Sequence, residues 1–362
     1  MPLVAEDRII RTGLVAVVGA VVATFLLATV GDPWRTGVAA ALVVLLVAVG
    51  SPHGALDHLV LVNGARVQDA GSTPGGRVRR MVRAARAQVD GLGPGLVVGY
   101  AGLALLSLLC YLAAPQAGFA LFLVLSVAHF AAGEAGVAVD RGLARGWLDP
   151  LAWVAALGGV VVVVLPLASR GAAAAVEAVD PRLTPVLATL VGLRPVVVLA
   201  AALAVLGCLV AAQRGSSRAP VVAVELMALT AVSLLADPLL AFGAYFAFWH
   251  SLRHQARLAQ LLRGPGGRPA PRHAGRPLRE VVTSAAAGVP ATVGVLVGAG
   301  VLAVTGTTLL GGLLAVIWAL TVPHSIAVVV LEVRQARARW ARPAAGVPAT
   351  RNQAGAGRVP VP

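Results

Sequence analysis

The chain has 362 residues, 58% of them hydrophobic and only 12% charged, with a formal net charge of +14. Soluble domains carry about twice that charged fraction, and apolar runs long enough to span a bilayer recur along the chain, so a soluble globular fold is excluded. All 29 basic residues are Arg, most of them in loops beside the apolar runs, which reads as topology signal and headgroup contact and excludes a nucleic-acid-binding role.

The apolar pattern predicts ten membrane spans at 13–30, 37–62, 95–114, 118–138, 150–168, 195–213, 220–236, 239–262, 281–304 and 309–331. Strands of an outer-membrane barrel would alternate apolar and polar residues, and these segments do not. The first run is long for the core of a secretory signal, and Gly31-Asp32-Pro33 closes it with a turn, so it reads as a retained helix. Around the sixth span, 183–193 is also apolar, and Asp237-Pro238 makes a tight break between the seventh and eighth. Placing the N-terminus in the cytoplasm puts 24 Arg on the cytoplasmic side and four outside, with Arg253 inside a span. That asymmetry is what the positive-inside rule requires, and it supports an even number of spans.

The expected fold is therefore an all-α, polytopic integral membrane bundle of about ten helices over residues 1–340, with both termini cytoplasmic. The Gly/Pro/Arg-rich loop from Arg263 to Arg279 and the tail over 341–362 lack an apolar period and are expected not to pack, the tail being disordered. His273 belongs to that loop and reads as solvated. Cys110 and Cys208 lie in apolar runs without a CxxC partner, so neither a disulfide framework nor a thiolate metal site is expected. The cytoplasmic membrane of a bacterium is the expected location.

Six of the seven His lie in apolar runs: His53 and His58 in Ser51-Pro52-His53-Gly54-Ala55-Leu56-Asp57-His58, His129 before Phe130, His250 and His254 in Trp249-His250-Ser251-Leu252-Arg253-His254, and His324 after Pro323. Ionisable groups within a bilayer are costly and mark functional sites. The clusters fall on spans 2, 4, 8 and 10, all running inward. Counted from the outer end they lie at heights within about 8 Å of one another at 1.5 Å per residue. Imidazoles converging from several helices at one depth form a metal site, and such a site suits Fe(II), Zn, Cu or Ni alike.

Spacing refines the picture. His250 and His254 are four apart, about 40° around a helix, so both rings can reach one ion. The same offset links His53 to Asp57, whose carboxylate can orient a ligand ring. His53 and His58 are five apart and face about 140° from each other. The Pro52 and Gly54 flanks favour His53 as the ligand and leave His58 an orienting or headgroup-contacting role. Tyr245-Phe246-Ala247-Phe248-Trp249 reads as bundle packing rather than a substrate wall. Glu134 is either a polar partner or a residue reaching the interface, and Arg253 either pairs with an acid or reaches the headgroups. A dry site deep in the bilayer suits a hydrophobic substrate entering from lipid, with O2 as oxidant. The competing reading is a haem-binding electron-transfer protein with His129 and His250 as axial ligands.

The block Gly50-Ser51-Pro52-His53-Gly54-Ala55-Leu56-Asp57-His58 resembles the signature of the Brp/Blh family of membrane β-carotene 15,15′-dioxygenases. His129-Phe130, Trp249 to His254 and Pro323-His324 are similar to its remaining blocks, in the same order. The resemblance implies a carotenoid-cleaving non-haem iron dioxygenase that splits the central double bond of β-carotene with O2 into two retinal molecules. It implies Fe(2+) held by His53, His129, His250 and His254. Asp57, His58, His324 and Trp249 are the candidates for orienting the ligands or lining the substrate pocket. β-Carotene or a related carotenoid, O2 and the bilayer are the partners implied, and a retinal-binding rhodopsin is a candidate functional link. The chain departs from the family in Ala131, where Gly often follows His-Phe, in its Arg-rich insertion after span 8, and in its scarcity of aromatics.

Overall fold

A computed structural model describes residues 3–28, 32–51, 54, 95, 98–169, 171–255, 293–304 and 308–340. Among them there is helix and no strand. In chain order the helices are α1 (Leu3–Ala28), α2 (Asp32–Gly50), α3 (Val98–Ala113), α4 (Pro115–Asp140), α5 (Pro150–Leu167), α6 (Ala172–Val179), α7 (Thr184–Gln213), α8 (Ala219–Leu235), α9 (Pro238–Ala244), α10 (Val293–Val304) and α11 (Leu309–Trp340). A π-helical turn, Tyr245–His250, continues α9 and runs on as helix to Gln255. Among the described residues, four helices are long and apolar enough to cross a membrane, over Pro115–Asp140, Pro150–Leu167, Pro181–Gln213 and Leu309–Val330, and α1, α2, α3, α8 and α10 carry shorter apolar stretches. The protein is an all-α membrane helical protein, and each of the ten expected spans contains a described helix.

Local chemistry sets the helix ends. Pro occupies the first turn of α4, α5, α7, α8 and α9, where a missing N–H costs nothing. Asp149 caps α5 by accepting from the Leu151 N–H, and Asp237 caps α9 by accepting from those of Leu239 and Leu240. Asp237 thus makes the expected break between spans seven and eight. The backbone N–H of Asp237 also donates to Thr24 Oγ1 of α1, at 2.9 Å.

Several boundaries differ from expectation: α1 starts at Leu3, before the first expected span, and α11 runs on to Trp340, past the last. The sixth span does not start at 195: α7 is one helix of 30 residues that takes in 184–193 and carries Pro195 inside it. An apolar environment keeps a helix continuous through a proline, because the few freed backbone groups cost less than exposing a loop to lipid. The short helix α6, between the fifth and sixth spans, was not foreseen. It is tied to α11 through Thr308, whose hydroxyl donates to the Val179 carbonyl.

At the centre α4 packs along α5, and α5 contacts α7 and α8 in turn. The closest approach is at Gly159: a Cβ there would meet the backbone of Phe130 and Ala131. Small residues let helices approach in this way where lipid gives no hydrophobic drive to associate. The contact lies one residue after His129, so it fixes the height of that ring. On the other side α11 packs on α4, with Phe122 edge-on to Trp318 at 5.7 Å and the Trp318 indole donating to the Ser107 carbonyl of α3. α1 and α2 pack against the π-turn, where Ser251 Oγ donates to the Gly50 carbonyl at 2.9 Å. Helix α7 lies outermost, with Val196, Leu199, Leu203 and Leu206 all exposed, as suits a lipid-facing helix.

Candidate metal centre

The α4–α5 contact, the α11–α4 packing and the π-turn bring three imidazoles to one point. The ligand nitrogens of His129, His250 and His324 all lie within 4.8 Å of one another, with His129 half-buried and the other two buried. The Nε2 atoms of His129 and His250 are 3.2 Å apart. Two nitrogens each about 2.1 Å from one ion at 90–109° stand about 3.0–3.4 Å apart, so this pair already has the spacing of adjacent ligands. His254 completes a ring of four: its imidazole stacks on that of His250 at 6.0 Å and meets His324 edge-on at 5.7 Å. An all-nitrogen, buried donor set of this kind fits a first-row transition metal.

Of the first histidine block, Gly54 reaches the site. Gly54 lies beside His324, and a Cβ on it would stand 3.5 Å from the imidazole Nδ1. His53, Asp57 and His58 lie outside the described residues, as do His273 with its Arg-rich loop and the tail over 341–362.

A second polar cluster stands on the adjoining face of the π-turn. Glu134 Oε1 accepts from the Tyr245 hydroxyl at 3.1 Å, and Oε2 accepts from Trp249 Nε1 at 3.3 Å and Arg253 Nη1 at 2.8 Å. The Arg253 guanidinium lies 4.0 Å over the Trp249 ring, and its Nη2 pairs with Glu225 of α8 at 3.2 Å. Glu225 in turn binds Arg141, which ends α4. Two Arg and two Glu balance, as buried charges must. Of the two readings left open by the sequence, Glu134 is a polar partner and Arg253 pairs with acids. Trp249 packs within this cluster: it is buried and lies against Gly13 of α1. Glu225 was not singled out from sequence, and Tyr245 was read only as part of a packing stretch. For Glu225 the signal was present, an acid inside the apolar run 220–236.

The protein-family model described as Beta-carotene 15,15'-dioxygenase matches residues 83–332. The chain belongs to that family. The match covers more than half of the chain and takes in His129, Glu134, Glu225, Tyr245 to His254 and His324, but it begins after the Gly50–His58 block. No curated protein and no solved structure gave a match.

Proposed function

We propose that this protein cleaves β-carotene, or a closely related carotenoid, across its central double bond with O2, at a non-haem iron held among the imidazoles of His129, His250, His254 and His324, with His53 joining from the neighbouring block. The observation that carries the reading is the convergence of three imidazoles from three different helices, two buried and one half-buried, within 4.8 Å, in a chain of the β-carotene 15,15′-dioxygenase family. Fe(2+), when bound, supplies the redox chemistry that O2 needs to react with a closed-shell polyene.

The chain's own residues do the rest. The four rings present nitrogen donors suited to a transition-metal cation. Phe130 packs edge-on to His250 at 4.7 Å and keeps that side dry. Placing the site inside a bundle of about ten crossings, with both termini cytoplasmic, lets a carotenoid arrive from the lipid. The products are then two retinal molecules, each carrying one aldehyde.

The haem reading fits less well. Axial ligands stand on opposite faces of a haem, about 4 Å apart, or twice a metal–imidazole bond. His129 and His250 are closer than that, and His324 approaches the same point.

Expression in cells that accumulate β-carotene tests the proposal. Loss of colour with appearance of retinal supports it, and a purified protein with a Soret band and no effect on carotenoid would overturn it.

A further inference from the structure

The mechanism proposed above uses the histidine face of the π-turn and leaves the adjoining face unexplained. On that face Tyr245, Trp249 and Arg253 follow one another at intervals of four, and all three donate to the carboxylate of Glu134. Helical geometry explains how one carboxylate can reach all three. In an α-helix eight residues sweep 800°, so Tyr245 and Arg253 would face about 80° apart. In a π-turn of about 4.4 residues per turn, Tyr245 to Trp249 falls about 33° short of a full circle. The α-helical step from Trp249 to Arg253 then overshoots by about 40°, and the two deviations nearly cancel. Only the π form aligns all three donors.

The same turn sets the bearing of His250. Between Tyr245 and His250, α and π geometry differ by about 90° of rotation. A segment that relaxed to α-helix would swing His250 and His254 a quarter-turn away from His129. Glu134 stands on α4, five residues after His129, so one helix supplies both a ligand and the clamp that aims its partner. Arg141, at the end of the same helix, anchors Glu225, and Glu225 holds the far side of Arg253. The brace therefore closes on itself across α4, the π-turn and α8.

We infer that Glu134, with Tyr245 and Arg253, is a positioning device that holds the π-turn open and thereby aims His250 and His254 at the metal. This rests on the metal centre proposed above. Glu134 touches no ligand ring in this role; it acts through the turn that carries two of them.

The test uses the purified full-length protein with Co(II) as probe, since its visible absorption reports ligand geometry. Glu134→Gln alone leaves Arg253 with one acid fewer and lowers the thermal midpoint. Adding Arg253→Met removes the pair together and restores folding. The expected result is a stable double variant whose Co(II) affinity stays at least about tenfold weaker than wild type, with altered absorption. Wild-type affinity and absorption returning along with stability would overturn the inference. If neither variant is recovered folded, Tyr245→Phe decides, because it deletes one hydroxyl and no charge. Changed Co(II) absorption in it supports the clamp, and an unchanged spectrum and affinity remove it. A wild-type protein that takes up no Co(II) removes the metal centre and this inference with it. A wild type that binds while every variant matches it removes the inference alone.

Discussion

The segment from Tyr245 to His254 has two polar faces that solve the same problem in opposite ways. On one, Arg253 meets Glu134 and Glu225, and every charge has a counter-charge within the protein. On the other, His250 and His254 meet His129 and His324 ring to ring. The first face is complete as it stands and braces the bundle. The second brings nitrogen donors to one point, an arrangement suited to a metal ion. Polarity inside a bilayer therefore does not by itself mark the reactive centre; what separates the two faces is the convergence of ligand nitrogens on one of them.

Substitutions on the two faces should fail differently. Arg253→Ala leaves two buried acids short of their partner and is expected to cost about 3–5 kcal/mol. Folded protein in the membrane should fall sharply, as seen by detergent extraction and size exclusion. His250→Ala should keep expression and lose cleavage to background, with bound metal lost by elemental analysis. His324→Ala should lose more metal than His254→Ala, because the His324 nitrogen belongs to the close trio. Wild-type cleavage by His250→Ala would take that residue out of the site, and normal recovery of Arg253→Ala would show that the ion network braces nothing.

Much of this architecture could be read from the chain alone, for physical reasons that differ by element. The bilayer demands long apolar helices, so α4, α5 and α11 stand out by composition. Asp237-Pro238 announces a helix start because its cap and its proline are local signals. The shared depth of the histidine clusters followed from counting residues, and His129, His250, His254 and His324 do meet. What was hidden is non-local. The role given to His324 by resemblance was an outer one, and only the packing of α11 on α4 brings it into the trio. The pairing of Glu225 with Arg253 needs the α8 register, which no single segment encodes. The π-turn leaves no compositional trace either, since Tyr245, Trp249 and Arg253 at intervals of four look like one face of an ordinary helix.

A smaller effect tests whether the histidine face depends on helix spacing rather than on its rings alone. Gly159→Leu places a side chain against the backbone of Phe130 and Ala131, which cannot give way as a flexible side chain would. α4 and α5 must separate, at a cost of about 1–3 kcal/mol. His129 should move with α4, so carotenoid conversion should fall further than the thermal midpoint implies. Gly159→Ala should show the same effect at smaller size. Full conversion by Gly159→Leu would mean that the site tolerates displacement of His129 and that the close crossing serves folding only.

The smallest effect lies away from both faces, at the loop before α5, and serves as the reference for what an ordinary helix cap contributes. Asp149 accepts from the backbone N–H of Arg145 and then from that of Leu151, and these bonds hold its carboxyl below the usual carboxylate value. A group whose value is depressed on folding stabilises fully above the unfolded value of about 3.9 and ceases to as pH falls through the folded one. Asp149→Ala should therefore cost about 1 kcal/mol at neutral pH. The gap between the two melting midpoints should narrow below about pH 4, as the wild-type carboxylate takes up its proton. Asp149→Asn keeps an accepting oxygen without the charge, so it should retain most of the neutral-pH stability and lose the pH dependence. A gap between wild type and Asp149→Ala that stays constant on acidification would place the contribution of this cap in its geometry and not in its ionised state.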